Sequence, residues 1–527
     1  MHEVEIVLGL LLVVAVLVLV ADKLRVPYPI LLVLGGLAIS FVPGLPRIEL
    51  EPGLVFLIFL PPIIQAAAYN TSIRDFRANF RSILLLAIGL PIFTMIVVAV
   101  VAHSLVEGMT WPAAFVLGAI VSPPDAVAAT SIAQKLGLPR RIVTILEGES
   151  LLNDATALVA YRLGVAAVLT GVFSFGEAAF RFLLTAIGGV IVGWVVGMLA
   201  VWLFKRIDDP PIEITLQLLS GYGSYLLAEA LGVSGVVALV AIGFVFGRMG
   251  PTIMSPRTRT QAASVWQIVV FVLNGLIFIL IGLHLPVVLE ALSDYSFWTL
   301  LLYAGAISLA VILARIVWMP FGAYVPRYII NKIKGRIHEE YPPLANAVVA
   351  SWAGMRGMVS LAAALSIPLT AGSEPFPARH LIIFLTFAVI LVTLLVQGLS
   401  LPLLARLLGV RDDGSAELEE KKARRHAAEA GVLRLEELAR EQWASADAVA
   451  DLRAHYHERK RLYSDGLDGD ARAELEREAV THIRIRREVL EAERHAIIRL
   501  RDDGAINDEV LHLIERDLDL EVQSLRS

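Results

Sequence analysis

Residues 112–134 read PAAFVLGAIVSPPDAVAATSIAQ, an apolar run of membrane-spanning length with Ser122-Pro123-Pro124-Asp125 in its middle. Without that break, some twenty residues would cross ~30 Å of hydrocarbon as one helix. Proline removes a backbone donor and clashes with the preceding turn, and a carboxylate at this depth costs roughly 3 kcal/mol or more unless it is partnered. Opened backbone at membrane depth survives where it is buried in protein or lines a cavity. The stretch therefore predicts a broken helix at an ion or substrate site, against the plainer reading of a proline tolerated in an ordinary span. A second interruption is read around Ser366-Ile367-Pro368. Broken helices in corresponding parts of two halves mark an inverted repeat with its ion site near the midplane.

The rest of the chain fits this frame. Of 527 residues, 57% are hydrophobic and 18% charged, and mean hydropathy is +0.71, values that point to a bilayer rather than water as solvent. Apolar runs fall near 4–21, 27–43, 52–69, 80–105, 112–134, 139–171, 176–204, 212–230, 232–248, 263–285, 295–322, 343–371 and 378–408, which predicts about thirteen spans. The first lacks a basic leader and follows Glu3 and Glu5, so it reads as a retained span rather than a signal peptide. Basic residues cluster in alternate breaks: Arg74, Arg77 and Arg81; Lys135, Arg140 and Arg141; Lys205 and Arg206; Arg327, Lys332, Lys334 and Arg336. Positive loops stay in the cytoplasm, which predicts an outside N-terminus and a cytoplasmic tail.

The predicted fold is an all-α polytopic membrane protein with inverted repeats and two broken helices. It divides into a transmembrane domain, residues 1–410, and a helical cytoplasmic tail, 411–527. The tail is dense in Arg, Glu, Asp and His, with turn signals at Asp465-Gly466 and Asp502-Asp503-Gly504. Its last segment sets Leu511, Ile514 and Leu518 on one face after Asn507 as N-cap. The absence of cysteine excludes disulfides and thiolate metal or redox sites, and no cofactor is implied. A net charge of −5 gives no reason to expect a nucleic-acid partner.

Few charges lie at membrane depth, and each is a functional candidate. Asp125, Glu147, Glu149, Asp154 and Arg162 fall in the fifth and sixth runs, and Arg356 in the twelfth. In Glu149-Ser-Leu-Leu-Asn-Asp154 a helix puts Ser150, Asn153 and Asp154 on adjoining positions of one face. Ser150 and Asn153 thus flank the Asp154 carboxylate, and this cluster, joined by carbonyls freed near Asp125, offers the hard oxygen ligands that a transported Na⁺ or K⁺ requires. A polar cluster at a helix end is the structural alternative. Arg356 cannot shed its charge, and Glu149 is read as its buried partner.

Leu60-Pro61-Pro62-Ile63-Ile64, Asp125-Ala126-Val127-Ala128, Gly148-Glu149-Ser150-Leu151-Leu152-Asn153-Asp154-Ala155 and Gly354-Met355-Arg356-Gly357 together resemble the sodium/proton exchanger family, bacterial branch. The resemblance implies a homodimer of thirteen-helix subunits in a bacterial inner membrane, each with its two broken helices crossed, and alternating access by a core bundle moving against a dimerisation domain. It makes Asp154 the ion- and proton-binding carboxylate, Asn153 its neutral neighbour, Ser150 a ligand, Asp125 the charge that balances broken-helix ends, and Glu149 with Arg356 the core ion pair. Two positions depart from the family pattern: Pro124 stands where many relatives have Thr, and Gln65 where some have an acid.

The function so implied is not enzymatic: an antiporter exchanging protons for Na⁺ or K⁺, in which proton and cation compete for Asp154. Asn153 stands where electrogenic relatives of the fold carry a second aspartate, so one proton per cation is expected. A gated cation channel with a regulatory tail is the rival, since broken helices and a midplane carboxylate also suit a pore. An intramembrane hydrolase lacks its Gly-x-Ser-x-Gly with histidine, or its metal-ligand cluster, in the spans.

Overall fold

The computed structural model describes residues 2–24, 26–42, 52–171, 175–334, 343–371, 374–463, 469–503, 505 and 507–524. They form two compact units, Met1–Asp413 and Gly414–Ser527. The first is a helical membrane unit, because in a hydrocarbon solvent each backbone N–H and C=O needs a partner within the chain. Among the described residues eight helices are long and apolar enough to span: Glu5–Leu24, Phe80–Leu105, Arg140–Thr170, Ala179–Phe204, Gly235–Ile253, Pro256–Glu290, Phe297–Gly322 and Arg379–Leu407. Tyr28–Ser40, Phe56–Asn70 and Trp111–Val121 are shorter apolar helices. Large apolar side chains such as Leu183, Ile187, Trp194 and Trp202 stand exposed along the helix Phe175–Phe204, as a lipid-facing surface demands.

Close helix contact in such a unit rests on small residues. The helices Tyr28–Ser40 and Pro256–Glu290 touch backbone to backbone, and a Cβ on Gly36 would overlap the carbonyl oxygen of Ile279, just as one on Gly282 would overlap that of Val33.

Two apolar runs fold as pairs of short helices. Trp111–Val121 and Ala126–Lys135 are parted by residues 122–125, where the sequence predicts a break. The second break differs from its predicted place: Leu344–Trp352 and Met358–Leu365 are parted by residues 353–357, and Ser366 merely caps the latter helix. Pro368 terminates a helix that has already ended, whereas Gly354 and Gly357 flank the opened turn. A π-helical turn, Thr393–Gln397, lies beside it, and Thr393 Oγ1 accepts the backbone N–H of Arg356 at 3.0 Å.

The tail unit comprises Ser415–Leu438, Ala446–Leu462, Gly469–Asp502 and Asp508–Ser524. Lys460 on the second of these reaches Glu429 on the first at 3.3 Å and so links the two, while Arg425 pairs with Glu429 along its own helix at 3.3 Å. Asn507 Oδ1 accepts the N–H of Val510 at 2.9 Å as an N-cap, and Leu511 and Leu518 are buried. Asp465-Gly466 and Gly504 lie outside the described residues.

Candidate ion site at the crossing of two helix breaks

Both opened segments meet at Asp125. Its N–H donates to the carbonyl of Met355 at 2.7 Å, so one break supplies a backbone partner that the other lost. A Cβ on Gly357 would overlap Asp125 Oδ2, and glycine alone permits this approach. Asp125 directly precedes the helix Ala126–Lys135, and Gly357 directly precedes Met358–Leu365. The carboxylate thus stands at two helix N-termini, whose free N–H groups and dipoles favour negative charge.

The helix Arg140–Thr170 passes this crossing. Asn153 is fully buried, and its Nδ2 donates to the carbonyl of Pro124 at 3.3 Å. That carbonyl is one of those released where the two prolines end the preceding helix. Asp154, 8% exposed, and Ser150, one turn before it, share with Asp125 the wall of a cavity of about 730 Å³. Tyr28, Glu147, Asn274 and Ser360 line it too. The structure therefore brings Ser150, Asp154 and Asp125 to one space, with Asn153 fastened behind them.

Glu149 points elsewhere. The predicted Glu149–Arg356 pair is not the one formed: Arg315 Nη1 and Nη2 donate to Glu149 Oε1 and Oε2 at 2.5 and 2.9 Å, in a bidentate bridge whose side chains are each 1% exposed. Arg315 also donates to the carbonyl of Ala350 from Nε and Nη2. Its planar fork matches a carboxylate and a carbonyl together. Arg356 is fully buried and close enough to feel the charges of both Arg315 and Glu149. Its three guanidinium nitrogens have no hydrogen-bond partner among the described residues. Arg315 escaped the sequence reading although the signal was present, a lone charge inside the run 295–322.

Arg162 and Gln65 do not line the cavity. Arg162 bridges Glu229 at 2.8 Å on the exposed side of its helix. Gln65 is buried, its Nε2 donating to the carbonyl of Gln217 at 2.9 Å, while Gln217 Oε1 accepts from Trp266 Nε1 at 3.0 Å. Among the described residues no group of three His, Cys, Asp or Glu could hold a resident metal ion.

The model of the transmembrane sodium/hydrogen exchanger family matches residues 9–407. An uncharacterised Na⁺/H⁺ exchanger of Mycobacterium bovis is 37% identical over 527 residues, covering 98% of this chain and 96% of that protein. A sodium, potassium, lithium and rubidium/H⁺ antiporter of Bacillus pumilus is 37% identical over 393 residues, 72% of this chain and 58% of that protein. The solved structure of a sodium proton antiporter from Methanocaldococcus jannaschii at pH 8 superimposes with a TM-score of 0.60 over 76% of this chain and 99% of that chain; at 18% identity this is a likeness of fold. The family-model match over most of the chain, with a full-length relative at 37% identity, places the chain in the sodium/hydrogen exchanger family, whose members are membrane transporters and not enzymes.

Proposed function

We propose that this chain is a secondary antiporter that exchanges one proton for one Na⁺ or K⁺ across the bacterial plasma membrane, with Asp154 as the group both ions compete for. The observation that supports this most is the placing of Asp154 with Ser150 and Asp125 on one cavity wall, while Asn153 is tied to the Pro124 carbonyl. A bare carboxylate in an apolar setting is costly, and either a proton or a cation relieves that cost. If the protein changes conformation only with Asp154 neutralised, binding one ion excludes the other and exchange is coupled without a gate for each. Ser150 supplies a neutral oxygen to the cation, and the two helix N-termini beside Asp125 favour negative charge there. The cations named for the Bacillus relative favour Na⁺ and K⁺ alike as substrates.

The remaining architecture belongs to the same proposal: about thirteen spans in two inverted repeats, a homodimer, the N-terminus outside and a regulatory tail in the cytoplasm. The basic breaks at residues 74–81 and 135–141 favour that orientation.

Stoichiometry is the sharpest consequence. Asn153 cannot titrate, and exchanging one proton for one monovalent cation on Asp154 moves no net charge. A membrane potential, worth roughly 2.3 kcal/mol per charge per 100 mV, then has nothing to act on. Na⁺-driven proton flux in proteoliposomes is compared with and without valinomycin at the same K⁺ gradient, so that any K⁺/H⁺ exchange is common to both arms and only the potential differs, with choline as balancing ion; the steady-state flux is expected to be independent of that potential. A steep dependence would show net charge moving and would bring Asp125 into the cycle.

A further inference from the structure

A second cleft, of about 70 Å³, opens between the helices Phe80–Leu105, Arg140–Thr170 and Phe297–Lys334 and the short helix Leu344–Trp352. Its floor is apolar, with Leu86, Ile145 and Met319, and its polar members are Ser82, Arg141 and Asn346. Arg141 is exposed, and its Nε donates to Asn79 Oδ1 at 3.2 Å, which holds the guanidinium at this end of the bundle. The neighbouring carboxylate of Asp75 is engaged by Arg140 at 2.8 Å and Arg74 at 3.5 Å. Among the described residues no carboxylate pairs with Arg141 or with Arg77, so this end of the bundle carries excess positive charge. Residues adjoining the lining ones, Leu84, Val317, Phe321 and Val348, are apolar and exposed.

We propose that this cleft binds an anionic phospholipid, its phosphate on Arg141 with Ser82 and Asn346, and part of one acyl chain against the Leu86, Ile145 and Met319 floor. A basic rim over an apolar floor between spanning helices is the chemistry that a charged headgroup with a hydrocarbon tail satisfies; free phosphate would use the rim and leave the floor bare. The bound lipid would also brace the ion-pair region. Ala350 lines the cleft and its carbonyl accepts from Arg315, while Glu149 lies one turn beyond Ile145.

The test uses the full chain in detergent, titrated separately with phosphatidylglycerol, phosphatidylcholine and inorganic phosphate. Phosphatidylglycerol is expected to raise the melting temperature more than either of the others, and Arg141→Gln to remove most of that excess while leaving the phosphatidylcholine response intact. An equal response in the variant, or a full shift with inorganic phosphate, overturns the proposal. A second readout needs no stable Arg141 variant. Trp318 Nε1 donates to the Leu85 carbonyl beside the cleft at 3.2 Å, so its fluorescence, taken as wild type minus Trp318→Phe, reports acyl chains there. Brominated phosphatidylglycerol at low mole fraction in phosphatidylcholine is expected to quench it more than brominated phosphatidylcholine at the same fraction, and equal quenching sinks the site.

Discussion

Asp154 and Asn153 differ by one ionisable group, and the proposed coupling rests on that difference. Asp154→Asn preserves shape and removes both the charge and the exchangeable proton. Cation-dependent proton flux in proteoliposomes is expected to fall at least about tenfold with the melting temperature little changed; substantial residual coupled flux would rule out a single-carboxylate cycle. The ion pair gives a separate expectation. Arg315→Met strips buried Glu149 of its bidentate partner, at a cost of about 3–5 kcal/mol, and adding Glu149→Gln is expected to recover much of the loss. Arg356→Met leaves the Glu149–Arg315 bridge in place and is expected to lower the melting temperature less than Arg315→Met does. The reverse order, measured by thermal unfolding in detergent, would return Glu149 to Arg356.

The elements that matter most are the two that fail to be continuous helices. Ser122-Pro123-Pro124-Asp125 advertises its break by chemistry, since two prolines cannot continue a helix. The break at residues 353–357 carries no proline and exists because Gly354 and Gly357 let the chain press against partners: a Cβ on Gly354 would overlap Arg315, and one on Gly357 would overlap Asp125. Gly357→Ala is therefore expected to displace Asp125 and cut exchange severely. Gly305→Ala, in the continuous helix Phe297–Lys334 with open space around its Cβ position, is expected to be neutral or to add about 0.5–1 kcal/mol through helix propensity. Parallel flux and melting measurements on the two variants separate crossing geometry from generic loss of glycine.

On the scale of the whole molecule, the membrane unit and the tail unit part between Asp413 and Gly414, and the cavity that holds Asp154 is lined wholly from the first. Truncation after Asp413 is expected to leave coupled exchange while shifting its pH or ion dependence, as followed in proteoliposomes against the full chain. A truncated protein that inserts correctly and transports nothing would place part of the transport machinery in the tail. The tail's surface pairs, such as Arg424 with Glu420 at 2.8 Å, contribute only about 0.3–0.5 kcal/mol each. Its own stability therefore leans on buried residues such as Leu435, Leu490, Leu511 and Leu518.

Sequence alone determined the solvent, the helical class, the first break, and the grouping of Ser150, Asn153 and Asp154. Each of these is local: hydropathy over twenty residues, proline chemistry over four, helical spacing over five. Only the tertiary structure decided which arginine neutralises Glu149, because residues 315 and 356 are both buried cations far along the chain and the choice depends on which helix faces the Arg140–Thr170 helix. It likewise decided where the second break falls and that Met355 supplies the hydrogen-bond acceptor for Asp125. A glycine in an apolar run gives no local sign of the atom it makes room for; for Gly357 that atom belongs to Asp125, more than two hundred residues away, and packing alone brings the two together.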